Sequence, residues 1–269
     1  MRQQKNANEP NLLMKTFQSL RRRGLMRTIL RIVKYPFDPF IARQKDKRVF
    51  SHANIEDRFT EIYKLNYWGH EKSVSGSAST LFYTENLRKH LPELFTKFSI
   101  KSVFDAPCGD FSWMRHVIKD CPIDYIGGDI VLPLITSHNK IYKNTNIQFV
   151  HIDLTKHQLP SANLMICRDC LFHLSYEDTK AVLKNFIESN TDYLLTSTHI
   201  NLNNFSNKNI ITGGFRHIDF FAAPYSFPKD VLYRILDWRE PEDWREPEPK
   251  REMCLWSRKQ VIASLNSFK

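Results

Sequence analysis

Long apolar runs, cysteine and glycine are all scarce in this chain of 269 residues, and each scarcity removes a class of protein. No uninterrupted apolar stretch approaches the roughly 18 residues that a membrane-spanning helix requires. The first ten residues, MRQQKNANEP, lack the apolar core and small-residue cleavage site of a secretory signal, which predicts a cytoplasmic protein. Five cysteines, an odd number at irregular spacing, do not form a disulfide framework and are expected as free thiols. Cys167-x-x-Cys170 has no second CxxC or HxxxH pair to complete a four-ligand zinc site, so no metal is expected. The eight glycines nowhere spell G-x-G-x-x-G, which argues against a nicotinamide dinucleotide enzyme.

Charge is plentiful but lopsided. Of the formal net charge of +10, residues 1–50 carry all: they hold 13 Lys and Arg against 3 Asp and Glu, whereas the remaining residues hold 26 of each. A nucleic-acid enzyme gathers positive charge around its site, so a neutral body argues against a nucleic-acid partner. Within residues 12–34, Leu13, Phe17, Leu20, Met26, Ile29, Leu30 and Val33 recur at near-helical spacing. Arg21, Arg22, Arg23, Arg27, Arg31 and Lys34 fill much of the rest, which predicts a basic amphipathic helix weakened at Gly24. Two readings stand: a helix lying on an anionic membrane, peripheral to the inner surface, or a helix packed on the body with a solvated basic face. Pro36 and Pro39 end it. The chain thus divides into a basic head and linker, 1–56, and a body, 57–269.

The body reads as alternating strands and helices. Strands are expected at Ser102–Asp105, Tyr125–Asp129, Ile147–Ile152, Asn163–Cys167 and Tyr193–Ser197, with helices such as Ser112–Lys119 and Glu177–Glu188 between them. This order predicts a doubly wound α/β fold with a parallel sheet, whose ligands lie at the carboxyl ends of the strands. Two late strands are expected near Val231–Trp238 and Glu252–Ser257. Between them DWREPE occurs twice in tandem, as Asp237–Glu242 and Asp243–Glu248, and reads as an exposed loop insertion without a site.

Three of the expected strands end in an acid, and 24 residues separate Asp105 from Asp129 and Asp129 from Asp153. Asp105 can accept from an ammonium. It opens the turn Ala106, Pro107, Cys108, Gly109, where a glycine lets backbone N–H groups approach a ligand. An acid about 20 residues on, at the end of the next strand, accepts ribose hydroxyls in α/β cofactor folds, which fits Asp129 and its neighbour Ile130. Any one Asp could be a helix or loop cap; three at this spacing point to a cofactor. The fourth strand leads to Arg168 and Asp169, and His173 lies four residues beyond Asp169, on the same face if the segment is helical. His173 is read either as a catalytic base or as a packing residue that shapes the pocket. Upstream, YWGHEKSVSGSAST (Tyr67 to Thr80) reads as an anion-binding nest or a flexible loop. Downstream, TGGFRHIDFFAAPYSFP (Thr212 to Pro228) combines paired glycines, Arg216 and aromatics.

Together, D-A-P-C-G-D-F-x-W-M, C-R-D-C-L-x-H-L, S-V-S-G-S-x-S-T and T-G-G-F-R resemble stand-alone bacterial class I S-adenosylmethionine-dependent methyltransferases, a group often associated with surface-polysaccharide or other glycan biosynthesis. The resemblance spans residues 57–257. It implies a mostly parallel seven-stranded Rossmann-like sheet, here with a basic N-terminal helical extension, and S-adenosyl-L-methionine as cofactor. It implies cofactor contacts from Asp105, Ala106, Cys108, Gly109, Asp129, Ile130 and Arg168, with Asp153 at the adenine amine and the Leu154 amide at a ring nitrogen. Asp169 and His173 take the catalytic position, while Gly76, Ser79, Thr212, Gly213 and Arg216 sit where the acceptor is expected. The acceptor reads as a small molecule or glycan methylated on oxygen or nitrogen. The alternatives are an RNA methyltransferase, or a non-catalytic cofactor-binding adaptor for a membrane or partner protein.

Overall fold

A computed structural model describes residues 38–68, 73–200, 205–239 and 249–268. The expected amphipathic helix at 12–34 and most of the DWREPE duplication lie outside these residues. The chain divides into two units, residues 1–47 with 239–248 and residues 48–238 with 249–269, and the second carries the sheet.

Helix α1 (Asp38–Ser51) is followed by α2 (Ile55–Lys64), which starts where the Asn54 side chain accepts the Glu56 amide. After α3 (Glu85–Lys97) come β1 (Ser102–Asp105), the single-turn α4 (Arg115–Ile118), β2 (Asp124–Asp129), α5 (Leu132–Ile141), β3 (Ile147–His151) and β4 (Leu164–Cys167). Helix α6 (Tyr176–Glu188), β5 (Tyr193–His199), β6 (Tyr233–Leu236), β7 (Arg251–Ser257) and α7 (Arg258–Ser267) complete the order.

The strands form one seven-stranded sheet in the order β3-β2-β1-β4-β5-β7-β6. Strands β1 to β5 pair in parallel, and β7 runs antiparallel between β5 and β6. The central strands are short and apolar because both faces are covered. Phe104, Met165, Leu194 and Trp256 face one layer with Val182 and Phe186 of α6 and Val261 of α7. Their alternates Val103, Leu164, Ile166, Leu195 and Leu255 face the other, with Leu87, Leu91 and Leu94 of α3. The expected sheet is therefore observed, with strand limits within two residues of those read from the sequence.

One helix is shorter than expected. The segment read as Ser112–Lys119 is helical only over Arg115–Ile118, because Gly109 (φ 55°) and Phe111 (φ 56°) hold left-handed conformations that keep the chain in turns. Strand β1 connects to β2 on one side, while β4 lies on its other side. The crevice at the carboxyl ends of β1 and β4 is thus the point where strand order reverses and α/β sheets take their ligands.

Candidate active site

Three carboxylates stand at the carboxyl ends of three adjacent strands. Asp105 pairs in register with Gly127, which puts Asp129 two residues further along β2; Asp129 pairs with His151, which puts Asp153 two residues beyond β3's partner position. Each is buried, and each is held differently. Asp105 accepts the Tyr125 hydroxyl at 2.7 Å, yet burial pushes its carboxyl up to about 7. Asp129 accepts the Gly109 amide at 3.0 Å and the Val131 amide at 2.9 Å; burial raises its pKa, and these amides only partly offset the rise. Asp153 accepts the Thr155 amide and hydroxyl and faces Lys156 Nζ at 2.9 Å; against the effect of burial, these partners hold it below the usual carboxylate range.

The cofactor turn is tightly built around Gly109. The Ala106 amide donates to Ile166 O and the Cys108 amide to Gly128 O, so the chain leaves β1 still anchored to β4 and β2. A Cβ on Gly109 would lie 2.5 Å from Ser75 Oγ, so a side chain there would displace the segment that covers it. That cover is residues 73–80. Ser73 Oγ donates to Asp110 at 2.6 Å, the Asp110 amide donates to Ser75 Oγ at 3.0 Å, and Ser112 Oγ donates to Ser79 O at 3.0 Å. Gly76, with φ 93°, begins the 3-10 turn Ser77–Ser79. Gly76 and Ser79, expected among acceptor contacts, therefore belong to a segment packed on the Gly109 turn. Ile130, next to Asp129, has its carbonyl 3.0 Å from His151 Nε2.

At the end of β4 the structure corrects two readings. Arg168, expected against the cofactor, is buried and committed elsewhere: its guanidinium grips both oxygens of Asp237 at 2.8 and 3.0 Å and donates to Ala78 O at 2.9 Å. Asp169 does not share a helical face with His173. It has φ 51° and precedes a 3-10 turn of only Leu171–His173, so the i, i+4 argument does not apply. Asp169 lies 3.5 Å from Arg168 and 3.4 Å from Arg251 and accepts from Ser197 Oγ. Burial opposes its charge, but the two guanidinium groups hold its carboxyl below the usual range. An ionised carboxylate so clamped is a weak proton acceptor.

His173 is better placed for that task. Gly214 O lies 2.7 Å from its Nδ1, which fixes Nδ1 as the donor and leaves the Nε2 lone pair, while burial lowers its pKa and keeps the ring neutral. Rings surround it: Trp68 at 5.3 Å, Phe172 at 4.6 Å and Phe215 at 5.8 Å between centroids. His199, at the end of β5, receives the Ile218 amide on Nδ1, and burial takes its pKa down to about 3.

The three remaining acceptor candidates turn inward. Thr212 Oγ1 accepts the Ser175 amide at 2.8 Å and bonds Asp178, joining the N-terminal cap of α6, while its carbonyl accepts Arg58 Nη1. Gly213 (φ 97°) donates to His173 O, and a Cβ there would meet Arg58 Cδ at 2.6 Å. Arg216 donates to the Tyr225 hydroxyl at 2.6 Å, to Leu171 O and Lys208 O, and stacks over Tyr176. Apart from Arg216 Nε, which is buried without a hydrogen-bond partner, these groups are satisfied by the fold and shape the loop beneath His173.

Sequence reasoning missed Asp237, Arg251 and Tyr83. Asp237 opens the first DWREPE copy, so its position in a repeat hid it; it is 1% exposed, so this residue of the copy is packed, while residues 240–248 lie outside the described residues. Its amide donates to Arg251 O, closing the β6–β7 hairpin, and Arg251 donates to the Tyr83 hydroxyl at 3.0 Å. Among the described residues no group of three His, Cys, Asp or Glu side chains is arranged to hold a metal ion, and no helix is long and apolar enough to cross a membrane.

The seven-stranded order with β7 antiparallel defines a Rossmann-like, doubly wound α/β fold. No protein-family model matches the chain, and no curated protein matches it. Similar solved structures include TnmH, at TM-score 0.47 and 13% identity, covering 64% of this chain and 54% of TnmH, so the chain spans about half of that protein. The methyltransferase domain of bacterial CtHen1-CN is similar at TM-score 0.47 and 15% identity, over 65% of this chain and 99% of that one. Magnesium protoporphyrin IX methyltransferase (ChlM) from Synechocystis PCC 6803, solved with bound SAM, is similar at TM-score 0.46 and 11% identity, over 84% and 95%.

Proposed function

We propose that the protein is an S-adenosylmethionine-dependent methyltransferase acting on an oxygen or nitrogen of a small-molecule or glycan acceptor. The observation that carries this reading is the set of three buried carboxylates on the ends of β1, β2 and β3, with the Gly109 turn between the first two. The residues fit the cofactor. A carboxylate offers about four lone-pair sites, so Asp129 can keep the Gly109 and Val131 amides and still accept two ribose hydroxyls. Asp105, which burial keeps from ionising freely, is suited to a cationic partner such as the amino group of the methionine moiety. Asp153 and the Leu154 amide would take the adenine.

The bound cofactor supplies a sulfonium methyl that is already reactive toward nucleophiles. The chain's own residues align the acceptor and keep water out. His173 Nε2 accepts the proton of an acceptor hydroxyl, while Asp169, kept charged by Arg168 and Arg251, orients the acceptor. A neutral amine acceptor would attack without prior loss of a proton and release one to solvent after the transfer. The neutral charge of residues outside 1–50 favours a small or glycan acceptor over RNA.

Calorimetry with S-adenosylhomocysteine and with NAD tests the cofactor assignment. Micromolar binding of the first and none of the second is expected, and binding of NAD alone would overturn it. With an acceptor in hand, His173→Asn should lower kcat about 100-fold or more for a hydroxyl acceptor at unchanged cofactor affinity, the usual size of a general-base contribution. An unaltered kcat would remove His173 from the chemistry.

A further inference from the structure

We propose that Asp237 is a positioning residue for cofactor binding, which through Arg168 holds residues 73–80 over the Gly109 turn. The inference rests on the methyltransferase reading and adds a residue to its site.

Arg168 joins three parts of the chain. It lies 69 residues from Asp237 and 90 from Ala78, and its guanidinium bonds both. The Asp237 contact is bidentate and almost wholly buried, the geometry in which an arginine fork is most firmly oriented. Asp237 is itself immobilised. Its amide donates to Arg251 O at 3.0 Å and its carbonyl accepts the Tyr83 hydroxyl at 3.4 Å. From Ala78 the connection continues through Ser75 and Ser79 to Asp110 and Ser112, and through the Gly109 amide to Asp129. The carboxylate at the end of β6 thus secures the segment that packs on the cofactor turn.

The other carboxylate beside Arg168 is Asp169, at 3.5 Å, so without Asp237 the guanidinium loses its bidentate partner and is no longer oriented toward Ala78.

The test compares wild type with Asp237→Asn by S-adenosylhomocysteine titration and by amide hydrogen exchange. In the variant, affinity should fall at least about 10-fold. Exchange at the Gly76, Ser79 and Thr80 amides, each bonded within the covering segment, should quicken while the amides of β1 and β4 exchange as in wild type. Unchanged affinity, or weaker affinity with wild-type exchange at those three amides, overturns the proposal, as does exchange that quickens equally across β1 and β4, the mark of a general loss of stability. If Asp237→Asn does not fold, Asp237→Glu keeps the charge but displaces the fork; faster exchange at those three amides supports the proposal and wild-type exchange overturns it. Wild type that binds no S-adenosylhomocysteine would defeat the methyltransferase reading, while the exchange comparison still decides whether Asp237 holds the segment. The repeat supplies a control. Removing either DWREPE copy produces the same sequence, with one Asp still following Leu236, so a chain lacking Asp243–Glu248 should match wild type in both readouts. Lost affinity in that chain would overturn the assignment to Asp237.

Discussion

Asp105→Asn should abolish measurable S-adenosylhomocysteine binding and, at the same time, stabilise the unliganded protein at pH 8. The two effects have one cause. Burial raises the Asp105 carboxyl from its ordinary 3.8 to about 7, so between these values the folded chain holds a proton that the unfolded chain has released. Stability from this group is therefore greatest below pH 4, is lost as pH rises toward 7, and stays lost above it. An asparagine carries no charge to desolvate, and its carbonyl can still accept the Tyr125 hydroxyl. Thermal melts at pH 5 and pH 8 should show the advantage of the variant over wild type growing between the two, by on the order of 2–4 kcal/mol. Wild-type affinity for S-adenosylhomocysteine should climb through neutrality, since the ammonium needs the ionised acid. A variant that melts lower at pH 8, or binds as well as wild type, would remove Asp105 from this role.

Asp129→Ala should damage both binding and folding. From sequence alone the acid serves a ribose; in the structure it also holds the Gly109 and Val131 amides. Truncation leaves two backbone donors without their charged acceptor, at about 1–3 kcal/mol each when water does not replace it. Loss of the ribose contacts adds an affinity penalty of similar size. Chemical denaturation should show a loss of roughly 2–4 kcal/mol in the absence of ligand. Asp129→Asn, which retains one acceptor oxygen, should recover part of the stability and little of the affinity. Wild-type stability in the alanine variant would mean that the two amides find other acceptors.

The sheet was readable because its central strands are buried on both faces, which makes them continuous apolar runs bounded by acids, glycines and prolines. Asp105, Asp129 and Asp153 were readable for the same reason, as the first polar residues after such runs. What was not readable depends on contacts distant in sequence or on unusual backbone. Phe111 and Asp169 have positive φ, which nothing in their side chains announces; the first shortens the expected helix Ser112–Lys119, and the second lies where no shared helical face with His173 forms. Thr212, Gly213 and Arg216 have the composition of a binding loop, but most of their polar atoms bond neighbours within the fold, among them Ser175, Asp178, His173 and Tyr225. Asp237 was concealed by its copy at Asp243. The partner that marks Asp237 lies 69 residues away in sequence.

The place of β7 in the sheet sets a condition on how this protein is made. β7 pairs with β5 along seven residues and with β6 along four, and among the described residues β6 pairs with no other strand. A nascent chain emerging from the ribosome can assemble β1 to β5 in order, but until residue 257 has been synthesised the outer side of β5 remains an open edge. Such an edge invites pairing with other chains. Productive folding therefore depends on late capture of the β6–β7 hairpin, and chaperone dependence should fall on the interval between synthesis of β5 and β7. The segment that closes the sheet also brings Arg251 to Asp169, so the vectorial order of synthesis completes the edge and the charged end of the crevice together.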